Sequence, residues 1–132
     1  MASREITLHG MLKQRRVPEL RKQASNWMIK GASKMRKDEL VSTLEHELLR
    51  PGNLDEILLL AGDIGWQLFQ DAAAVDDPLQ VPAKAVNYAR MFAEFGCLQY
   101  EGDEQTGTVS VLVEIKELLS ALKEAGFYSH RS

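Results

Sequence analysis

The residues best placed to do chemistry in this 132-residue chain are cations. Lys34, Arg36 and Lys37 lie within GASKMRKDEL, residues 31–40, with Lys30 just upstream and Ser33 directly ahead. Leu40, Val41, Leu44 and Leu48 recur at helical spacing and predict a helix from about Lys34 to about Leu49, with Ser33 as its N-cap. The cations then fall in the first turn, where unsatisfied amides and the helix dipole favour anions instead. A bound anion would reverse that balance: outward amides hold a phosphate, the cations flank it, and Ser33 caps the helix or donates to the anion. Lys13, Arg15, Arg16, Arg21 and Lys22 add charge on or just before a preceding helix. Contacts of this kind read the nucleic-acid backbone rather than its sequence and weaken steeply with salt. The plain alternative is a solvated basic face without a ligand.

Other chemistry finds little to work with. His9, His46 and His130 are isolated in sequence, and HELLR at residues 46–50 puts Arg50 where a zinc motif needs a second histidine. Asp76 and Asp77 precede a proline and read as a turn rather than an acid/base pair. Cys97 opens an apolar run with no histidine near it, as a buried structural thiol does. Trp27 and Trp66 sit on apolar faces and read as core rather than as stacking platforms. The chain has no phosphate loop of the G-x-x-x-x-G-K-[ST] type. The expectation is therefore no enzyme, no cofactor and no metal site.

The elements that position the cations follow from periodicity and punctuation. Val17, Leu20, Ala24 and Trp27 share one helical face, with Pro18 suited to a first turn. Gly31 supplies the positive φ of a tight connection to the next helix. RPGN at residues 50–53 then breaks the chain, with Asn53 and Glu56 spaced as a capping box. The charge changes sign at the same place: residues 1–50 hold 11 Lys/Arg against 6 Asp/Glu, and residues 51–132 hold 5 against 13. Two modules are expected, a basic one at 1–50 and an acidic one at 51–132 that folds by itself. In the acidic half, residues 54–74 read as helix with a corner or close packing contact at Gly62 or Gly65. Residues 76–82 read as a connector, and Pro82 opens a helix carrying Val86, Ala89 and Phe92 that stops at Gly96. CLQY and TVSVLV read as two strands around a turn, and Ile115, Leu118, Leu119 and Leu122 as the stripe of a last helix ending at Gly126. The fold class is mainly α: a small helix–extended loop–helix module followed by an α+β domain with a β-hairpin, winged-helix-like in outline. In that outline Lys84, Asn87 and Arg90 form the exposed stripe of a reading helix, although the surplus of acid in this half opposes docking on DNA.

Residues 12–44 resemble the small helical N-terminal domain of the transcription terminator Rho and, more loosely, the SAP and LEM-like helix–extended loop–helix modules. The residues that carry the likeness are Val17, Glu19, Leu20, Arg21, Ala24, Ile29, Gly31 and above all Ser33 to Leu40. Three positions depart from the pattern: Met28 stands where a glycine often closes the first helix, Gln23 where an apolar residue is usual, and Arg16 where a Ser or Thr usually caps. The resemblance implies an accessory domain that binds DNA or RNA, or tethers a larger protein to it. The residues expected in that role, on their charge and position, are Lys13, Arg15, Arg16, Arg21, Lys22, Lys30, Ser33, Lys34, Arg36 and Lys37.

The single cysteine and the shortness of the longest apolar run, Ile57 to Ala61, lead to the expectation of a cytoplasmic protein without a membrane partner. Two functions fit: a nucleic-acid-binding accessory protein whose acidic half contacts a protein or self-associates, and a protein–protein adaptor that does not touch nucleic acid.

Overall fold

The computed structural model describes residues 6–125. Among them the chain is mainly helical, with a small antiparallel sheet of three strands and a β-hairpin. The first helix, α1 (Leu8–Gln14), was not foreseen. The Thr7 hydroxyl accepts from the Gly10 N–H at 3.0 Å to start it, and Leu8, Met11 and Leu12 are buried at helical spacing. α1 reaches both halves of the chain. His9 pairs with Glu45, the Leu8 N–H donates to the Glu114 carboxylate at 2.8 Å, and the Val113 N–H donates to the Ile6 carbonyl at 2.9 Å.

α2 (Val17–Asn26) has Pro18 in its first turn and buries Leu20 and Ala24, as the pattern predicted. Arg16 occupies the N-cap position. Its N–H is held at 3.1 Å by the Glu19 carboxylate, which supplies the reciprocal half of a capping box that a Ser or Thr would otherwise begin. α3 (Lys37–Leu48) starts later than predicted, because residues Ala32–Lys34 form a separate 3₁₀ turn. Ser33 is therefore not the N-cap; it is exposed in that turn. The N-cap position belongs to Arg36, in extended conformation, whose N–H donates to the Glu39 carboxylate at 3.3 Å. The first turn of α3 is thus Lys37, Asp38 and Glu39, with two anions against one cation, as the helix dipole favours. Lys34 and Arg36 precede the helix rather than open it.

α4 (Pro51–Ala73) begins at the proline, with Arg50 at its N-cap position. Asn53 does not start a helix either: its amide donates back to the Glu47 carbonyl at 2.8 Å, satisfying the end of α3. A kink at Gly62 (φ 69°, ψ −164°) divides α4, and at Gly65 a Cβ would come within 2.3 Å of that of Ala61, so one glycine makes the corner and the other the close approach. Two residues of the expected connector form β1 (Leu79–Gln80), followed by a 3₁₀ turn at Ala83–Ala85 and α5 (Val86–Phe95). β2 (Leu98–Gly102) and β3 (Gly107–Val111) form the hairpin, with Leu98 opposite Val111. β1 pairs with the far side of β3, Leu79 opposite Val109, giving the order β1-β3-β2. α6 (Val113–Glu124) buries Ile115, Leu119 and Leu122. Gly126 and His130 lie outside the described residues.

One apolar core runs from Leu12, Leu20 and Leu44 in the basic half to Phe69, Phe92 and Ile115 in the acidic half. Leu49 and Arg50 join two helices that share this core, so the charge break is not a break in packing.

Candidate nucleic-acid interface

The ten residues expected to hold phosphate do not form one surface. Arg15 is half-buried where α1, α2 and α5 meet. Its guanidinium donates to the Gln23 carbonyl oxygen at 2.7 Å and to the Ala93 carbonyl at 3.3 Å. Burial lowers its affinity for the proton, and nearby Glu19 partly restores it. A cation held in this way stabilises the junction and does not face a ligand, so Arg15 does not belong to a phosphate surface. Gln23, at 1% exposure, is the hub of the same junction: its amide nitrogen donates to the Phe95 carbonyl at 3.3 Å. That accounts for a buried polar residue on the inner face of α2. Lys22 faces the same side, beside Ala93 and Glu94 of α5, and Lys13 is exposed at the end of α1.

Arg16 stands at the start of α2, while Lys30, Lys34 and Arg36 lie in the loop between α2 and α3, with Arg21 on α2 and Lys37 opening α3. Two N–H groups close α2 in a Schellman arrangement, Ile29 to the Ala24 carbonyl and Met28 to the Ser25 carbonyl, both at 2.9 Å. This puts Met28 in the left-handed region (φ 58°), and Gly31 follows at φ 80°. The loop is thereby turned so that a shallow cavity of about 400 Å³ opens between it and the outer face of α2. Arg21 and Ser25 line it from the helix, and Met28, Ile29, Gly31 and Ser33 line it from the loop. Lys30 and Lys34 flank this rim in the chain, and Arg36 and Lys37 lead from it into α3; all four are exposed. Arg21, Lys30, Lys34, Arg36 and Lys37 make no ion pair among the described residues. Their charge is free to meet an anion from outside.

Sequence reasoning missed this cavity because it placed the cations inside a helix. Trp27, the nearest aromatic residue, is turned away from it. Its Nε1 donates to the Phe95 carbonyl at 2.7 Å, and its ring meets that of Phe95 edge-on with centroids 5.0 Å apart. On the acidic half, Arg90 of the α5 stripe shares a cavity with Asp103 and Glu104 of the hairpin turn. The Asp103 carboxyl is held below its usual range by the Thr106 and Gln105 N–H groups first, with Arg90 contributing least. Acid therefore sits beside the stripe that a winged helix would present to DNA. No helix among the described residues is long and apolar enough to cross a membrane.

Compared with protein families, with curated proteins and with solved structures, the chain matched none.

Proposed function

We propose that this protein binds nucleic acid through its phosphate backbone, using the cationic loop between α2 and α3, and that its acidic half contacts protein. The observation that carries this reading is the loop with its flanks: Lys30, Lys34 and Arg36 in the loop, Arg21 on α2 lining the cavity and Lys37 opening α3, all exposed and without ion-pair partners among the described residues. The likeness of residues 12–44 to the N-terminal domain of Rho adds support, since modules of that kind mostly bind DNA or RNA. Lys30, Lys34 and Arg36 stand ahead of α3 and Lys37 opens it. The interface is thus Arg21, Lys30, Lys34, Arg36 and Lys37, with Ser33 as a neutral donor and Arg16, Lys13 and Lys22 outlying.

The acidic half offers a different surface. Leu59, Leu60 and Ile64 are exposed on either side of the α4 kink, beside Asp63. Exposed aliphatic side chains among carboxylates suit a protein partner and repel phosphate.

The test is a titration of the full chain with single- and double-stranded DNA and RNA at low and at physiological salt. Phosphate neutralisation gives a straight line of log affinity against log salt, with a slope of about −0.7 to −0.9 per phosphate neutralised. Absence of binding to all four at low salt contradicts the proposal and leaves the adaptor reading.

A further inference from the structure

We infer that the cavity beside Met28 seats one unpaired nucleobase, which makes single-stranded nucleic acid the preferred ligand of this surface; the inference rests on the phosphate-binding reading above. Its starting point is a residue that folding does not explain. Met28 stands at the position after a helix end where the backbone turns left-handed, a place that favours glycine. It is 86% exposed, so its side chain gains almost no burial in return. A large apolar side chain held in an unfavourable conformation and left in water points to function more than to folding.

The surroundings say what it would meet. Met28 and Ile29 give the cavity an apolar wall, and Ser25, Ser33 and Arg21 give it a polar one. A thioether is polarizable and packs well against an aromatic ring. In a duplex the bases stack on one another and offer only their edges. An unpaired base offers its face, and any of the bases will do. The hydroxyls of Ser25 and Ser33 both donate and accept, so they can serve the edge of any base. Arg21, with Lys30 and Lys34 in the adjoining loop, can hold the flanking phosphates. A volume of about 400 Å³ leaves room for a base. Trp27 offers no competing aromatic platform, since it is committed to Phe95.

The experiment measures binding of the full chain to a labelled oligothymidylate, to its ribose counterpart and to a duplex of the same length, across a salt series. Met28→Gly and Met28→Leu are compared with the parent, with thermal melting as the control for folding. Met28→Gly is expected to melt at the same temperature or higher, since it relieves the left-handed strain. It should bind either single strand about fivefold or more weakly, with an unchanged salt slope and unchanged duplex binding. Met28→Leu should restore most of the affinity. If Met28→Gly binds single strands as the parent does, while salt-dependent binding persists, the base seat is overturned and the phosphate reading stands. If the parent binds nothing with salt dependence, both fall.

Discussion

Both ends of the Gln23 amide are engaged, one by Arg15 and the other by the Phe95 carbonyl, and a Cβ on Gly96 would come within 2.0 Å of its nitrogen. Gly96 also needs its positive φ of 86° to end α5, so α2 and α5 close on each other over a residue that tolerates no side chain. Gln23→Leu keeps the volume but takes from the half-buried guanidinium of Arg15 its shorter acceptor, leaving the Ala93 carbonyl, and from the Phe95 carbonyl one of its two donors, leaving Trp27. It should destabilise the chain by about 1–3 kcal/mol, read as a shift in the urea midpoint. Nothing in the local sequence distinguished Arg15 from its exposed neighbour Arg16; only α5, far along the chain, buries one of them. Cys97 behaved more simply, since an isolated cysteine in an apolar run was expected to be buried, and it is. Burial pushes its thiol up from 9.0 to about 12. Below the unfolded value both states hold the proton and stability is unaffected. Between about 9 and 12 the unfolded chain releases it and the folded one keeps it, so stability should fall as pH rises, by on the order of 1 kcal/mol per pH unit. Cys97→Ser should remove that part of the alkaline loss in denaturant titrations at successive pH values, and native Cys97 should resist alkylation at neutral pH.

The helix starts decide how the cations are used. α2 and α3 both open on an arginine whose N–H is held by a glutamate three residues on, Arg16 with Glu19 and Arg36 with Glu39. Glu39→Ala should therefore cost about 0.5–1 kcal/mol through loss of that bond and of a charge the dipole favours, read in thermal melts. Ser33→Ala, at an exposed position that caps nothing, should stay within about 0.5 kcal/mol of the parent in the same melts. A measured loss of 1 kcal/mol or more for Ser33→Ala would return the helix start to Ser33. The apolar stripe of α3 was legible from Leu40 to Leu48, but its start was not, because Ser33 is as good a cap by type as any and the glutamate box at Arg36 is less familiar. α1 left a trace in Leu8, Met11 and Leu12 behind a capping Thr7, obscured by Gly10 in the middle. β1 left none: two residues between prolines become a strand only because β3 has a free edge beside them. The long periodic helix α6 and the hairpin, whose signals are local, stand where the pattern put them.

Across the whole molecule, charge and packing divide differently. The basic and acidic halves differ in composition, yet α1 ties to α6, and the last carbonyls of α5 are taken by Arg15, Gln23, Asn26 and Trp27. Residues 51–132 alone should consequently lose the single cooperative transition of the full chain and show a lower urea midpoint, seen by circular dichroism; equal cooperativity would mean that the two halves are independent modules after all. Composition marked the first half of the chain as basic, but only the turn at Met28 and Gly31 sets Arg21 on one cavity with the loop that carries Lys30 and Lys34. The central claim is that this loop meets phosphate, and its most direct test removes charge there and nowhere else. Arg21, Lys30 and Lys34 are exposed, so replacing them together with Gln, in the full chain, spares the core and the junction around Gln23. The variant should melt as the parent does and bind a single-stranded oligonucleotide more weakly, with the slope of log affinity against log salt reduced by up to about 0.7 for each phosphate no longer neutralised. A variant that keeps the parent's affinity and salt slope would contradict the claim that phosphate binds at this loop.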